Sequence, residues 1–507
     1  MCCNCFNRRE FLGVSAAVAA GAALGAAGRA QAQGFEWAPD MWDPERPFLV
    51  IGKPLRVQPV LMYNLPTKRP MRSYKAWGGI QTEQAVVEEI ARIEGELKDL
   101  AARAEFPVEV LPVFRVNSPE LAEKARALDA DATVIYPATG SGKWLQAIVP
   151  ERGATIFVRH KNGPVYYFYE SLNVRMLKCD KDPADSPKRI SVHDVVVDDT
   201  NELLWRLRAL YGVHNFIGSK VIALGGAGGK YDGTAPQFAR DTFKLDIIET
   251  GYEDLAKRIE STFADAGRMR CAEEWTKKYL ALPGTTLETD RPFVVNAFAL
   301  YGIFREIMAE YGASQFTISE CMSTILPMSK TTACLSLGLL NDEGYGAFCE
   351  GDFVIVPAGM LLRHISGKPV FMHNSTFPHD GGVVTCAHCT SPRRMDGKRY
   401  EPTRLLTHYE SEFGAAPKVE FPIGQQVSFI NPEYATGRWV GLKGKVESNP
   451  FYEICRSQQD VRVEGDWKKL LHEARDSHWM MTYGDYLKEV GHAAPRIGIR
   501  WEAISEA

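Results

Sequence analysis

The residues best suited to metal or proton chemistry crowd into one stretch, Asn341 to Met395, with a last candidate at His478. The stretch holds Glu350-Gly351-Asp352, His373, His379 and Cys386-Ala387-His388-Cys389, and His478 stands in Asp476-Ser477-His478-Trp479. Glu350, His373 and His388 each end a short apolar run beside turn residues. In α/β sheets such strand ends converge on the ligand crevice. Glu350, His373, His388 and His478 are therefore the expected ligands of a divalent ion, and a carboxylate with imidazoles suits Mn, Co, Ni or Zn. Two residues apart on a strand, Glu350 and Asp352 would face the same side. Cys386, His388 and Cys389 are spaced too tightly for the paired Cys-x-x-Cys of a structural zinc site. The expectation is that His388 faces the site while Cys389 packs behind it.

These groups need elements to position them. Thr82 caps a helical pattern with Val86, Ile90, Ile93, Leu97 and Leu100 on one face. A helix near Glu120–Leu128 precedes a short apolar strand, Ala132–Pro137. Helix alternating with buried strand marks βαβ units and a parallel sheet. After a polar break at Asp180–Lys188, strands are expected at Val195–Val197, Lys220–Leu224, Lys244–Ile248 and Gln315–Ser319. Beyond Gly367 short strands dominate: Pro369–His373, Val383–Cys386, Val419–Phe421, Gln426–Ile430 and Trp439–Val446, followed by two helices from about Gly465 and about His478. The fold class expected is α/β: two Rossmann-like domains with parallel sheets (81–172 and 173–366), then a β-rich domain (367–507). Residues 33–80, rich in Pro, Trp and Arg, read as an ordered but irregular arm.

Two Gly-rich loops carry less than they suggest. Thr139-Gly140-Ser141-Gly142-Lys143-Trp144 has Pro137 where a phosphate loop needs its first Gly, and Trp144 where it needs Ser or Thr. Gly225-Gly226-Ala227-Gly228-Gly229-Lys230 lacks the dinucleotide spacing and reads as a substrate-facing loop.

The chain opens with a leader over residues 1–32. Asn7-Arg8-Arg9-Glu10-Phe11-Leu12 precedes an Ala/Gly-rich run from Gly13 to Gly28, and Ala30-Gln31-Ala32 supplies a small-residue cleavage site. The paired arginines make it a twin-arginine signal, read by the twin-arginine translocase, so a periplasmic or secreted location is expected. The apolar run falls short of the roughly 20 residues of a spanning helix, so no stable membrane span is expected. Of 11 cysteines, Cys2, Cys3 and Cys5 lie in the leader and seven lie from Cys271 onward, scattered as buried thiols are. One oxidised pair is compatible with that compartment. The remaining chain suits roughly three domains of about 150 residues each. A net charge of −4 points away from nucleic acid.

Several segments together resemble the L-fucose isomerase and L-arabinose isomerase superfamily. Asp342-Glu343-Gly344-Tyr345-Gly346-Ala347-Phe348-Cys349-Glu350-Gly351-Asp352-Phe353 is similar to the segment carrying a metal-binding glutamate before Gly-Asp. Pro369-Val370-Phe371-Met372-His373-Asn374-Ser375-Thr376-Phe377 looks like the strand with the family's second acidic ligand, a position that His373 occupies in this chain. Val383-Val384-Thr385-Cys386-Ala387-His388 resembles the strand bearing the family's histidine, and His478 before Trp479-Met480-Met481 resembles its late one. The resemblance implies two α/β domains, a β-rich third domain, a homo-oligomer and metal-dependent aldose–ketose isomerisation through an enediolate.

It also implies a sugar substrate, and no anion-binding set for a phosphorylated one is evident. Glu350, Asp352 and His373 are the expected catalytic residues, with Glu320 a further candidate base. His388, Trp144 and Arg393 are the expected substrate contacts, although Arg393-Arg394 also reads as a solvated charge pair. His373 in place of an acid makes the site less negative and favours Zn²⁺ or Ni²⁺ over Mn²⁺. Two functions stay open: an exported isomerase-like enzyme, or a sugar-binding protein that has lost proton transfer.

Overall fold

The computed structural model describes residues 35–505 apart from Ala76, 168–170, 173–176, 178–189, 434–436 and 474–475. The leader and the polar break at Asp180–Lys188 lie outside the described residues. The chain forms two compact units, Lys53–His214 and Met1–Gly52 with Asn215–Ala507. The architecture is mixed α/β, with two parallel sheets and a closed antiparallel barrel toward the C-terminus.

In the 53–214 unit, β1 (Leu55–Met62) is flanked by β4 (Ala132–Pro137) on one side, and by β2 (Val108–Val110) and β3 (Phe114–Val116) in turn on the other. β5 (Thr155–Val158) and β6 (Val195–Val197) extend the sheet beyond β4, and every pairing is parallel. Thr82 caps the helix Glu83–Arg103, which buries Val86, Ile93, Leu97 and Leu100.

β1 corrects the expected arm, because a core strand runs through its middle. Pro54 and Pro59 disguise it, since proline normally argues against an interior strand. Pro59 lies where β1 passes from Val57, paired with β2, to Val60, paired with β3. The Gln58 side chain spans that gap, donating to Pro59 O at 2.9 Å and Pro112 O at 2.8 Å.

In the other unit, the aromatic part of the arm packs on helices of the core. Trp37 stacks on Trp275 at 5.4 Å, and buried Trp42 meets Phe298 at 5.1 Å. The parallel sheet runs β11 (Gly346–Phe348), β10 (Gln315–Ile318), β7 (Lys220–Leu224), β8 (Asp246–Thr250). Its core includes the helix Arg291–Tyr311, which is long and apolar enough to cross a membrane and is 67% buried over its most apolar window. A smaller sheet joins β9 (Thr285–Leu287), β14 (Thr403–Leu406) and β15 (Ala416–Val419).

The barrel runs β16 (Gln426–Glu433), β19 (His478–Tyr483), β12 (Phe371–Ser375), β13 (Val383–His388), β18 (Ser457–Glu464) and β17 (Arg438–Ser448), and β17 pairs back to β16. β20 (Arg500–Ala503) adds in parallel to β17. Phe371, Val384, Phe429, Leu442, Val461 and Met481 belong to its apolar core.

The helix expected from His478 is instead β19, and the helix follows at Leu487–Ala493. The apolar run His478–Tyr483 is buried on both faces. It therefore shows no polar alternation to mark it as a strand.

Candidate functional site

The site lies within the unit formed by Met1–Gly52 and Asn215–Ala507. Three loops leave the carboxyl ends of adjacent parallel strands: Gly225–Lys230 after β7, Ser319–Met322 after β10 and Cys349–Asp352 after β11. Ligands gather at this edge of parallel sheets because the backbone turns away there and leaves a crevice. The loops brace one another. Gly228 N donates to Gly351 O at 3.0 Å, and Phe353 N donates to Gly228 O at 2.8 Å.

The turn so held is strained. Glu350 has φ +69° and Gly351 φ +59°, and left-handed backbone at a non-glycine residue costs of order 1–3 kcal/mol. At Gly351 an added Cβ would stand 3.1 Å from Ser319 Cβ and 3.2 Å from Gly226 O. The strained turn aims Glu350 at the barrel strands.

Glu350 Oε2 lies 3.1 Å from His478 Nε2 and 3.7 Å from Lys230 Nζ, and Oε1 lies 3.6 Å from His388 Nε2. Lys230 Nζ also stands 3.4 Å from His478 Nε2. The second ring nitrogen of His478 meets Asp352 Oδ2 at 3.1 Å. Asp352 is anchored in turn, accepting from Lys230 N and Val354 N, each at 3.1 Å. His388 ends β13 with Nδ1 2.9 Å from Thr390 Oγ1, which leaves Nε2 toward Glu350.

Electrostatics follow from these contacts. Burial works against charge on Glu350, yet hydrogen bonds from His388 and His478 hold its carboxyl well below the usual range. Burial also opposes protonation of His478, but hydrogen bonds to Asp352 and Glu350 outweigh it and lift the imidazole to about 9. One carboxylate thus gathers an ammonium and two imidazoles. Asp352, Asp476 and His478 also form a buried group whose ligand atoms all lie within 4.8 Å of one another and could bind a metal.

Glu350, His388, Lys230 and Asn374 line a cavity of about 570 Å³, with Glu320, Glu410 and His408 also on its wall. Such a volume suits a small ligand.

The structure therefore brings Glu350, His388 and His478 together and sends other expected residues elsewhere. His373 points away. On β12 it pairs with Trp479 while Asn374 pairs with His478, so strand alternation turns Asn374, not His373, toward the site. The His373 ring is fully buried among Phe371, Phe429 and Trp479, where burial lowers its basicity to about 3.

Arg393 is also withdrawn. It is buried, and its guanidinium donates to the carbonyls of Glu401 and Pro283. Arg394 is likewise buried and donates to Arg46 O at 2.9 Å. The pair is neither a solvated surface feature nor a part of the cavity wall.

Asp352 lies behind His478 as its orienting partner and is absent from the cavity wall, which leaves Glu320 as a wall carboxylate. His379 belongs to the β12–β13 hairpin and pairs with Thr385 and Asp380. Trp144 packs against the core of the 53–214 unit.

Sequence reasoning missed Lys230, Asn374 and the cavity cysteines. Lys230 had a signal, as the last residue of a Gly-rich loop after a strand. Asn374 had one in its parity with His478, visible only once His478 is read as a strand residue. Compared with known proteins, the chain matches no family model and no curated sequence.

Proposed function

We propose that this protein is an exported, metal-dependent aldose–ketose isomerase-like enzyme acting on a non-phosphorylated sugar, built on two Rossmann-like layers and a barrel. The observation that carries the reading is the Glu350 carboxylate set between His478 and His388 on the wall of a sugar-sized cavity. The resemblance to the sugar isomerases implies the same residues.

By residue type the donors suit a divalent transition ion: one carboxylate and two imidazoles, with His478 held through its far nitrogen by Asp352, while the ligand atoms within 4.8 Å of one another are those of Asp352, Asp476 and His478. Glu350, His388 and His478 would hold the ion, which when bound supplies Lewis-acid polarisation of the sugar carbonyl. The chain supplies the rest. Glu320, which shares the wall with Glu410, is the carboxylate assigned to take a proton from one sugar carbon and return it to the next. Lys230, 3.7 Å from Glu350, is placed to donate to a sugar hydroxyl or its developing oxyanion. Export in the folded state by the twin-arginine translocase delivers a site already assembled, and a homo-oligomer accords with the resemblance.

Incubation of metal-loaded protein with aldoses in heavy water tests this. Deuterium entering at C1 or C2, abolished in Glu350→Ala and reduced in Glu320→Gln, is expected. No exchange with any aldose, despite metal bound in wild type and lost in Glu350→Ala and His478→Ala, overturns it.

One observation favours a second reading, a sugar-binding protein without turnover. The position where the resemblance implies an acid holds His373, and the β12 residue that pairs with His478 is the neutral Asn374, so β12 brings no acid to the site. Binding without exchange, unchanged by Asn374→Asp, is the outcome that reading expects.

A further inference from the structure

Between Arg46 and Thr82 the chain holds seven cations and no Asp or Glu. Four of the seven, Lys68, Arg69, Arg72 and Lys75, fall within eight residues on the loop that leaves the carboxyl end of β1. All four are exposed, and among the described residues none of them has an ion-pair partner. The charges near them in sequence are already matched. Arg56 pairs with Asp129 at 2.7 Å, and Glu83, the next carboxylate along the chain, is taken by Arg115.

The same loop turns apolar side chains outward. Met71 is fully exposed in the turn at Pro70–Met71, and Trp77 is 70% exposed. Met71 has φ +53°, a left-handed backbone that few non-glycine residues adopt. The loop is fastened on both sides of its base. Asn64 N donates to Thr139 Oγ1 at 2.7 Å, Gly79 N donates to Val165 O at 2.8 Å, and Ile80 is buried. A loop kept only for solubility would mix both signs of charge and carry no apolar apex.

We propose that this loop docks the protein on an anionic phospholipid bilayer, with Met71 and Trp77 entering the headgroup layer and the four cations meeting lipid phosphates. Apolar side chains set among Lys and Arg bind such an interface by burial and charge together. The amphipathic ring of Trp is favoured at headgroup level, and unbranched Met adapts to irregular apolar surroundings. Lys and Arg stems lie along the acyl boundary while their charged ends stay at the phosphates. The net charge of −4 does not oppose this. Charge interactions are screened beyond about 10 Å in 0.1 M salt, so the bilayer meets the loop and not the whole molecule. Full exposure also means that Met71 protrudes, and a protruding apex enters a deformable surface without needing a matching groove. With two apolar side chains the attachment is reversible, far short of an anchor. No residue of the sugar site takes part, so the proposal stands apart from the isomerase reading.

The test uses the chain from Gln33, which keeps every described element and drops the apolar run of the leader. It is sedimented with vesicles of mixed phosphatidylcholine and phosphatidylglycerol. Binding at low salt that is lost at high salt is expected. Each cation near an anionic surface contributes roughly fivefold in affinity, so Lys68→Gln, Arg69→Gln, Arg72→Gln and Lys75→Gln combined should lower it at least about 100-fold. Met71→Ser should weaken vesicle binding several-fold and leave binding to poly-glutamate unchanged. All these side chains are exposed, so the variants keep the fold. Failure of wild type to sediment with the mixed vesicles overturns the proposal, as does equal binding to pure phosphatidylcholine. Wild-type binding in the fourfold variant overturns it too. Tighter binding to poly-glutamate than to vesicles, with Met71→Ser neutral toward both, assigns the loop to an acidic protein partner instead and overturns the lipid proposal.

Discussion

His478 and Asp352 meet ring nitrogen to carboxylate oxygen at 3.1 Å, and both are almost wholly buried. Asp352 uses its other oxygen to accept from two backbone N–H groups, so it cannot swing away. It fixes the plane of the imidazole whose far nitrogen faces Glu350. Asp352→Asn keeps an oxygen for the backbone bonds but weakens the hold on His478. The expected outcome is a loss of about 10–100-fold in metal affinity with little change in melting temperature. Competition against a chelator measures it.

His373→Leu separates burial from ligation. The His373 Nε2 is buried without a hydrogen-bond partner among aromatic rings, while Nδ1 meets Ser375 Oγ at 3.1 Å, so the substitution removes that local contact and no metal ligand. Metal content should match wild type by elemental analysis, whereas Asn374→Ala should lower it.

Acid sensitivity follows from His373 and His364. Burial holds both imidazoles at about 3, and for His364 the neighbouring Arg363 adds to the effect. Their folded pKa lies below the ordinary 6.5, so between those values the unfolded chain binds more protons. Stability contributed by their neutrality is whole above 6.5 and is lost as pH falls toward 3. Urea midpoints measured from pH 7 down to pH 4 should fall less steeply for His373→Leu than for wild type.

Gly351→Ala tests the strained turn. A left-handed conformation at a non-glycine residue costs roughly 1–2 kcal/mol, and the new methyl would crowd Gly226 O at 3.2 Å. Denaturant titration should show at least that loss. Metal affinity should fall with it, because Glu350 precedes the displaced residue.

Arg393→Met distinguishes support from recognition. The guanidinium satisfies two carbonyls in the interior, and leaving them unpaired costs roughly 1–3 kcal/mol each. The melting temperature should drop by several degrees, while the affinity for any sugar that wild type binds stays the same by calorimetry.

Much of the frame was legible in the residues. Strand Ala132–Pro137 and the Thr82-capped helix emerged with the bounds expected to within a few residues, because period and cap agreed. The shift to short strands beyond Gly367 was visible, although Asn215–Ala507 belongs to a single compact unit. What failed failed for identifiable reasons. β1 hid behind Pro54 and Pro59, and β19 hid because both its faces are apolar. That second miss spread to the site. With His478 placed on a helix, nothing linked its orientation to β12, and His373 took the place that pairing gives to Asn374. Glu350, His388 and His478 could be chosen by type and context. Cys334, Cys389 and Cys455 on the cavity wall could not, since only tertiary contacts bring them together.

Closure of the barrel has a bearing on how the site could ever change. β19 is held on one side by β16 and on the other by β12, and the ring returns to β16 through β17. A slip of one residue would exchange His478 for Trp479, an imidazole for an indole, beside Glu350. In an open sheet an outer strand could make that slip by breaking one ladder. In the closed ring two ladders must break together, and every other strand must then shift or leave a gap. The chemical identity of the site is thereby locked by a circular count of hydrogen bonds, and point substitution offers a far easier path to altered chemistry than re-registration of a strand.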